Sequence, residues 1–433
     1  MLSVWKSESA IEKFESLCEN ISTDVLVVGG GIAGVLCAYM LSKSGVDTVL
    51  VEAKTIASGV TENTTAKIIL QHGLIYQDII KKYGEENAKL YLDANINAMK
   101  EYENLCRNIE CDYDVKDSYV YSVNNKYKLE KELSALQSLG YACEYKSDLK
   151  IPVKTVGAVQ IKNQAQFNSL KFISALSKKL RIYENTFVER IEDGFAITRK
   201  GNKIKAKKII VATHFPFINK YGGYFLKMFQ HRSYVIALEN AQDVDGMYVD
   251  EAQNGMSFRN YKNLLLIGGG DHRTGKKGGS WNELMSFASN VYPNSKEKFY
   301  WATQDCMSLD GVPYIGQYSL STPDMYVATG FNKWGMTSSM VSAMVLCDMV
   351  QDIKNPYEEI FSPSRSIIHP QLLVNCGETL LNFLHPTIKR CPHLGCALKW
   401  NPYEHTWDCS CHGSRFTEKG KIIDNPATKD ANI

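Results

Sequence analysis

Apolar residues recur along this chain with two periods, and they divide it into strands and helices. Val25–Val28 is a short continuous apolar run that ends in glycines, the pattern of a buried strand. Ala33–Ser44 follows with helical character, and Thr48–Val51 is a second buried run ending at Glu52. Residues 1–22 read as an amphipathic helical lead-in, with Ser9–Leu17 helix-patterned. Tyr76–Arg107 is a long charged helical stretch of the kind that covers a sheet. Tyr119–Val123 and Val153–Ile161 are strand-like, and Asn163–Leu180 predicts a helix with Phe167, Leu170, Phe172, Ile173 and Leu176 on one face. Ile182–Ile191, Phe195–Thr198 and Ile204–Ala206 predict a short meander, and Lys208–Thr213 a buried strand ending in small residues. Tyr234–Leu238, Gly246–Val249, Met256–Arg259 and Leu264–Ile267 predict an antiparallel sheet separate from the parallel one. Trp281–Phe299 reads as helix, Met325–Ala328 as strand and Ser338–Val350 as helix. Pro356–Pro370, with three prolines and several serines, is the predicted linker.

Length and composition change this picture little. At 433 residues the chain is long for one domain, and 44% hydrophobic content supports sizeable cores. The 49 basic and 47 acidic residues leave a net charge of +2, without the basic footprint of a nucleic-acid binder. No apolar run reaches the roughly 18 residues that span a bilayer. The opening MLSVWKSESAIEKFE lacks a signal peptide's apolar core. Eight of the 12 cysteines are scattered, and four crowd into Cys391–Cys411. Scattered thiols plus one dense cluster predict a cytoplasmic protein with a metal site rather than a disulfide framework.

The first chemistry lies between the first two strands. Gly29, Gly31 and Gly34 fall at GxGxxG spacing, with Glu52 18 residues beyond Gly34. Gly29 suits a tight turn, Gly31 close backbone approach to a pyrophosphate, and Gly34 contact of helix with strand. The helix N-terminus meets phosphates with free N–H groups, and the Glu52 carboxylate suits both hydroxyls of an adenosine ribose. The small, hydroxyl-rich stretch Ser58–Lys67 suits a loop over a cofactor's phosphates. Thr329–Thr337 is a second glycine-containing strand-to-helix turn.

The glycine fingerprint with Glu52, the Ala212-Thr213 return, the DGVPYIG segment at 310–316 and the GFNKWGMT turn occur in order. Together they resemble the D-amino-acid-oxidase-like family of FAD-dependent oxidoreductases. The resemblance implies an α/β fold: a two-dinucleotide, Rossmann-like FAD domain with an inserted antiparallel sheet capping the substrate. It places FAD segments at about 23–75, 160–215 and 305–355, and capping segments at about 76–159 and 216–304. Gly29, Gly31 and Gly34 would contact the pyrophosphate and Glu52 the ribose. Thr64 and Thr65 match the loop on the phosphate or flavin, and Val188 the residue whose backbone holds adenine. Ala212 matches the return strand, and Gly330, Gly335, Met336 and Thr337 the turn under the flavin ring. Lys67, Lys333 and Trp334 are the implied catalytic candidates. No residue clearly matches the family's substrate-carboxylate arginine; Arg232 and Arg259 are candidates. Cys306 lies off the spacing of a covalent flavin tether, so FAD is expected to be non-covalent.

Cys391-Pro392-His393 and Cys409-Ser410-Cys411-His412 carry the second chemistry. Two cysteines and two histidines suit a tetrahedral zinc site as well as an iron–sulfur site. The two units resemble the Rieske two-iron two-sulfur motif. That resemblance implies thiolates Cys391 and Cys409 on one iron and imidazoles His393 and His412 on the other. It also matches Cys396 and Cys411 with a pair that forms a disulfide in some members. Gln371–Arg390 leaves about 20 residues before the first ligand loop, strand-patterned only at Leu372–Val374 and Thr379–Phe383. Residues 371–433 therefore read as a small, shortened all-β domain, and a metal-free remnant is a further alternative. The leading expectation is an oxidoreductase that oxidises a small amine or amino acid on FAD and passes electrons to a [2Fe-2S] cluster. The alternative is an electron carrier or redox sensor acting with a protein partner.

Overall fold

The computed structural model describes residues 2–192 and 194–433. The most apolar runs pair in parallel. Ile21–Val28 lies between Lys203–Val211 and Thr48–Val51, and Met325–Thr329 and Arg181–Tyr183 extend the sheet on either side. Tyr314–Gln317 adds an antiparallel edge. Val27 and Leu50 enter one core cluster while Leu26 and Val49 enter another, so both faces are covered. That double burial explains the continuous rather than alternating apolar runs. Helices Ile32–Lys43 and Gly335–Val350 pack side by side on the first face.

Among the described residues a second sheet runs Lys296–Ser308, Met228–Glu239, Leu264–Arg273, Ser257–Tyr261, Met247–Asp250, Asp114–Ser122, Gly157–Gln166 and Lys67–Ile68, in that spatial order. Its neighbours are antiparallel except Met247–Asp250 with Asp114–Ser122. A third, antiparallel sheet comprises Leu398–Asn401, Thr406–Cys409, Arg415–Thr417 and Ile422–Asp424. No helix among the described residues is long and apolar enough to cross a membrane.

Several local expectations fail for identifiable reasons. The stretch 281–299 is not one helix: Ser280–Val291 stops before Pro293, and Lys296–Ser308 is a strand paired along nearly the whole of Met228–Glu239. In 163–180 the strand Gly157–Gln166 runs first, and Asn168 then caps Ser169–Ser177 by accepting from the Leu170 and Lys171 amides. The lead-in helix is only Val4–Glu8. Ser9–Leu17 stays irregular because its amides bond elsewhere: Phe14 N donates to the Glu184 carboxylate and Leu17 N to Thr186 Oγ1. The helix Lys126–Ser138 has no counterpart in the sequence reading. Leu372–Val374 and Thr379–Phe383 are not strands. They belong to the helix Pro370–Leu384, which starts with proline in its first turn and His369 as its cap. Asn375 and Asn382 face inward on that helix, and Leu373, Leu380 and Leu381 face out.

Candidate functional site

A cavity of about 1320 Å³ opens at the carboxyl ends of the parallel strands, where Val28, Val51, Ala212 and Ala328 reach it. This is where open α/β sheets bind ligands. Gly29, Gly31, Glu52, Thr64, Thr65, Val188 and Ala212 line it. Gly29 has φ +112°, and a Cβ there would lie 2.5 Å from Ala212 O. At Gly34 the Cβ would lie 1.9 Å from Gly29 O, so helix and strand touch backbone to backbone. Gly34 acts behind the wall and does not line the cavity. Thr61 Oγ1 accepts from Ile32 N at 3.1 Å, which satisfies one helix N-terminal amide.

Glu52 fits the adenosine half of a dinucleotide. One carboxylate oxygen accepts from Gly30 N at 2.7 Å, and the other from Lys54 N at 2.8 Å. Burial raises its pKa, opposed by those amides and by the Lys54 charge. A carboxylate has about four acceptor positions, so each oxygen keeps capacity for a hydroxyl donor from the cavity.

At the other end the turn before Gly335 is held open by Asn332, whose amide donates to Ser308 Oγ, Gly311 O and Gly330 O. Asn332 and Lys333 have consecutive positive φ. Lys333 forms an ion pair with Asp271, and Trp334 stacks on His72 at 5.5 Å between ring centroids. Lys333, Trp334, Gly335 and Met336 line the cavity, whereas Gly330 and Thr337 stand behind it. Thr337 Oγ1 is 2.8 Å from His72 Nε2. Lys67 also lines the cavity. Burial and the neighbouring Arg259 charge pull its amine down to about 7, and its Nζ donates to Thr65 Oγ1 at 2.9 Å.

The antiparallel sheet contributes a polar patch that sequence reasoning missed. Ser233, Asp271, Thr303 and Asp305 line the cavity. Ser233 Oγ, Thr303 Oγ1 and Asp271 Oδ1 have no hydrogen-bond partner within the chain. Burial pushes the Asp305 carboxyl up to about 6. The available signal was hydrophilic residues at alternating positions of otherwise apolar strands. Neither arginine candidate lines the cavity. Arg232 is bound to Glu404 of the third sheet. The buried Arg259 does not line the cavity; its Nη1 donates to Thr65 O and Ala66 O in the wall behind it, and its Nε and Nη2 have no partner among the described residues. Cys306 is packed in the core and does not line the cavity.

The C-terminal loops bring Cys391, His393, Cys409 and His412 together. The rings of His393 and His412 lie 4.9 Å apart, and the Nδ1 atoms of both are buried without a partner. His393 Nε2 is 2.8 Å from Asn219 Oδ1, an outer partner of the type that orients a ligating imidazole. Cys409 is drawn down to about 7, first by hydrogen bonding from Cys391 and then by the amides of His412, Cys411 and Gly413, while Cys391 moves up. Two orphaned imidazole nitrogens and two thiols on the same pair of loops, with backbone amides hydrogen-bonded to the Cys409 sulfur, fit a cluster with mixed ligands. Cys396 and Cys411 form a disulfide that joins the two loops. Both sulfurs lie within 4.8 Å of the Cys409 thiol, but a disulfide sulfur is not a thiolate ligand.

The third sheet also closes the cavity. Ile422, Ile423, Asp424, Asn425, Ala427 and Thr428 line it. Asn425 Nδ2 donates to Thr213 O at 2.6 Å and Phe215 O at 2.7 Å, and Lys54 Nζ donates to Ile423 O at 2.7 Å.

Residues 24–349 match the family described as FAD dependent oxidoreductase, and residues 374–433 match the Rieske [2Fe-2S] domain. YhfW of Bacillus subtilis (strain 168), named as a Rieske 2Fe-2S iron-sulfur protein, is 35% identical over 487 aligned positions, covering 98% of this chain and 96% of its own length. Glycine oxidase from Geobacillus kaustophilus has a similar fold, with TM-score 0.68 and 18% identity over 80% of this chain and 99% of that chain. L-proline dehydrogenase from P. horikoshii is comparable, with TM-score 0.67 and 16% identity over 81% of this chain and 98% of its own.

Proposed function

This chain belongs to the FAD-dependent oxidoreductase family and ends in a Rieske [2Fe-2S] domain, and from that premise we propose that it oxidises a small amine or amino acid on FAD and delivers the electrons to its own cluster. One observation carries the reading: residues 422–425, 427 and 428, next to the cluster loops, form part of the wall of the cavity lined by the glycine fingerprint and Glu52. Bound FAD supplies two-electron oxidation of a substrate, and the cluster accepts electrons singly.

The residues then have distinct tasks. Gly29 and Gly31 admit the pyrophosphate, with Gly34 keeping helix and strand in contact, and Glu52 accepts from ribose hydroxyls. Thr64 and Thr65 shape the loop over the phosphates, Val188 and Ala212 flank the adenosine side, and Gly330, Gly335, Met336 and Thr337 form and brace the turn under the ring. Lys67, Lys333 and Trp334 face the reacting end, where a cation favours an anionic reduced ring. The unpartnered Ser233, Thr303 and Asp271 atoms orient the substrate. Cys391 and Cys409 hold one iron, and His393 and His412 the other. The test is anaerobic addition of a panel of amines and amino acids while flavin absorbance and the cluster's spin-resonance signal are followed together. Bleaching of the flavin with appearance of the reduced cluster supports the reading, and bleaching with a cluster that stays oxidised refutes it.

A second reading, an electron carrier serving a protein partner, is favoured by the outward apolar side chains Leu373, Leu380, Leu381 and Leu384. They lie on the helix that packs against the first ligand loop through Asn382 O and Ala397 N. Bleaching only by a reduced protein would select it.

A further inference from the structure

Two buried glutamines of the capping sheet grip the backbone of the second cluster loop. Gln230 and Gln304 come from neighbouring strands and are 1% and 4% exposed. Gln230 Nε2 donates to the carbonyl of His412 at 2.7 Å and to Asn425 O at 3.1 Å. Gln304 Nε2 donates to the carbonyl of Gly413 at 2.8 Å and to Gln230 Oε1 at 2.7 Å. Thr274 Oγ1 donates to Gln304 Oε1 at 3.0 Å, which fixes the orientation of that amide. All four amide hydrogens are therefore used, and both loop carbonyls are satisfied away from water.

The fit is close. Gly413 has φ +86°, and a Cβ there would lie 2.6 Å from Gln230 Cβ. Asn425, which accepts from Gln230, donates in turn to Thr213 O and Phe215 O. Thr213 and its neighbour His214 line the FAD cavity. The His214 ring lies against the Gln230 side chain and the Gln304 backbone, and its Nε2 has no partner. The Phe215 ring stands 6.4 Å from the rings of both His393 and His412. One hydrogen-bonded unit thus reaches from the cavity wall to the backbone of a cluster ligand.

We propose that Gln230 and Gln304 are positioning residues that hold the His412–Gly413 loop at a fixed separation from the FAD cavity and so set the rate at which electrons reach the cluster. This rests on the electron-transfer reading above. Each event moves one electron: the flavin is oxidised by one, the cluster is reduced by one, and the two amides neither gain nor lose an atom. They act on distance and rigidity, as outer partners of metal ligands do.

The experiment uses the full chain loaded with both cofactors, kept anaerobic, with a light pulse and EDTA reducing the flavin directly. Gln230→Leu and Gln304→Leu should slow the rise of the reduced-cluster signal roughly 10-fold or more, the usual size for lost outer partners. FAD content, iron content and the cluster's g-values should be unchanged, and amide exchange of residues 409–415 should become faster. Gln304→Glu keeps the volume but loses the donors to Gly413 and Gln230. It should show the same slowing, and it decides the matter if the leucine variants fail to load a cluster. Thr274→Ser, which retains the hydroxyl donor, should keep the parent rate. Parent-like rates and exchange in loaded Gln304→Glu overturn the role of the glutamines and leave the electron-transfer reading standing. A parent protein whose cluster stays oxidised overturns both.

Discussion

Arg232 of the capping sheet and Glu404 of the third sheet form a two-pronged ion pair, with Arg232 Nε donating to Glu404 Oε1 at 2.9 Å and its Nη2 to Oε2. Both side chains are almost wholly buried, at 5% and 2% exposure. Arg415 joins the same carboxylate at 2.7 Å and reaches Asp408 and Asp424 as well. The pair couples the second sheet to the third, and it engages Arg232, which does not line the cavity.

Removing one partner of such a pair strands a buried charge. Glu404→Gln should therefore destabilise the docking of residues 398–433 on the cap, at a cost of about 3–5 kcal/mol. Limited proteolysis between residues 356 and 370 and denaturant unfolding would read it. Burial raises the Glu404 pKa, but Arg232 and Arg415 outweigh it and hold the group at about 2. A depressed carboxylate stabilises the fold fully above its ordinary value of 4.5, and that contribution is lost as pH falls toward about 2. Acid should release the third sheet in that window, and Glu404→Gln should flatten the dependence. An unchanged acid transition in the variant would count against the pair.

Glu52→Gln should weaken FAD retention without unfolding the chain. The substitution turns one of the two acceptors at Gly30 N and Lys54 N into a donor. It also removes charge-assisted acceptance from the ribose, about 1.5–3 kcal/mol. Flavin content after dialysis and flavin fluorescence on release measure this. Full retention would refute the assigned role.

Lys67, drawn down to about 7 by burial and then by Arg259, is a cation below neutrality and neutral above it. Its effect on the flavin potential should therefore appear at about pH 6 and fade at about pH 8.5. Lys67→Met should lower the potential only at the acidic end. Lys333→Met leaves Asp271 without its cation and should lower the potential at both pH values. Spectroelectrochemical titration at the two values decides, and no change in either variant would remove both lysines from the site.

His412→Ala should lose the cluster and keep FAD, because the glycine fingerprint and Glu52 lie on a different sheet. His412→Cys should keep a cluster at lower potential, since a thiolate adds negative charge. Iron and sulfide analysis with spin resonance after reduction gives the answer. Stoichiometric zinc without iron in iron-supplied, anaerobically purified protein would contradict the ligand assignment.

Cys396→Ser should destabilise the third sheet by about 3 kcal/mol, the loop-closure value for a bridge spanning 15 residues. Thermal unfolding of oxidised and reduced parent protein beside the variant measures it. Coincident transitions would show that the disulfide contributes little.

The parts of this protein that could be read from its sequence are those whose chemistry is local. The turn from Val28 to Gly34 needs its glycines because backbone meets backbone within a few residues. The two C-terminal loops carry cysteine and histidine close enough in sequence to read as one candidate centre. Glu52 follows one helix and one strand after the glycines, so its place at the cavity was also readable. Tertiary structure decided whatever depends on pairing across long separations. Lys296–Ser308 is a strand because Met228–Glu239, far earlier in the chain, offers it an edge. Pro370–Leu384 is a helix with Asn375 turned inward because Arg273 meets it there, and the Asn382 carbonyl receives the Ala397 amide. Arg232 looked like a substrate ligand until the third sheet brought Glu404 to it. Ser233, Asp271, Thr303 and Asp305 are unremarkable in sequence and become a site only when three strands align them over one cavity. Side-chain identity sets what each residue can bond, but burial and the partner it meets set which bond forms.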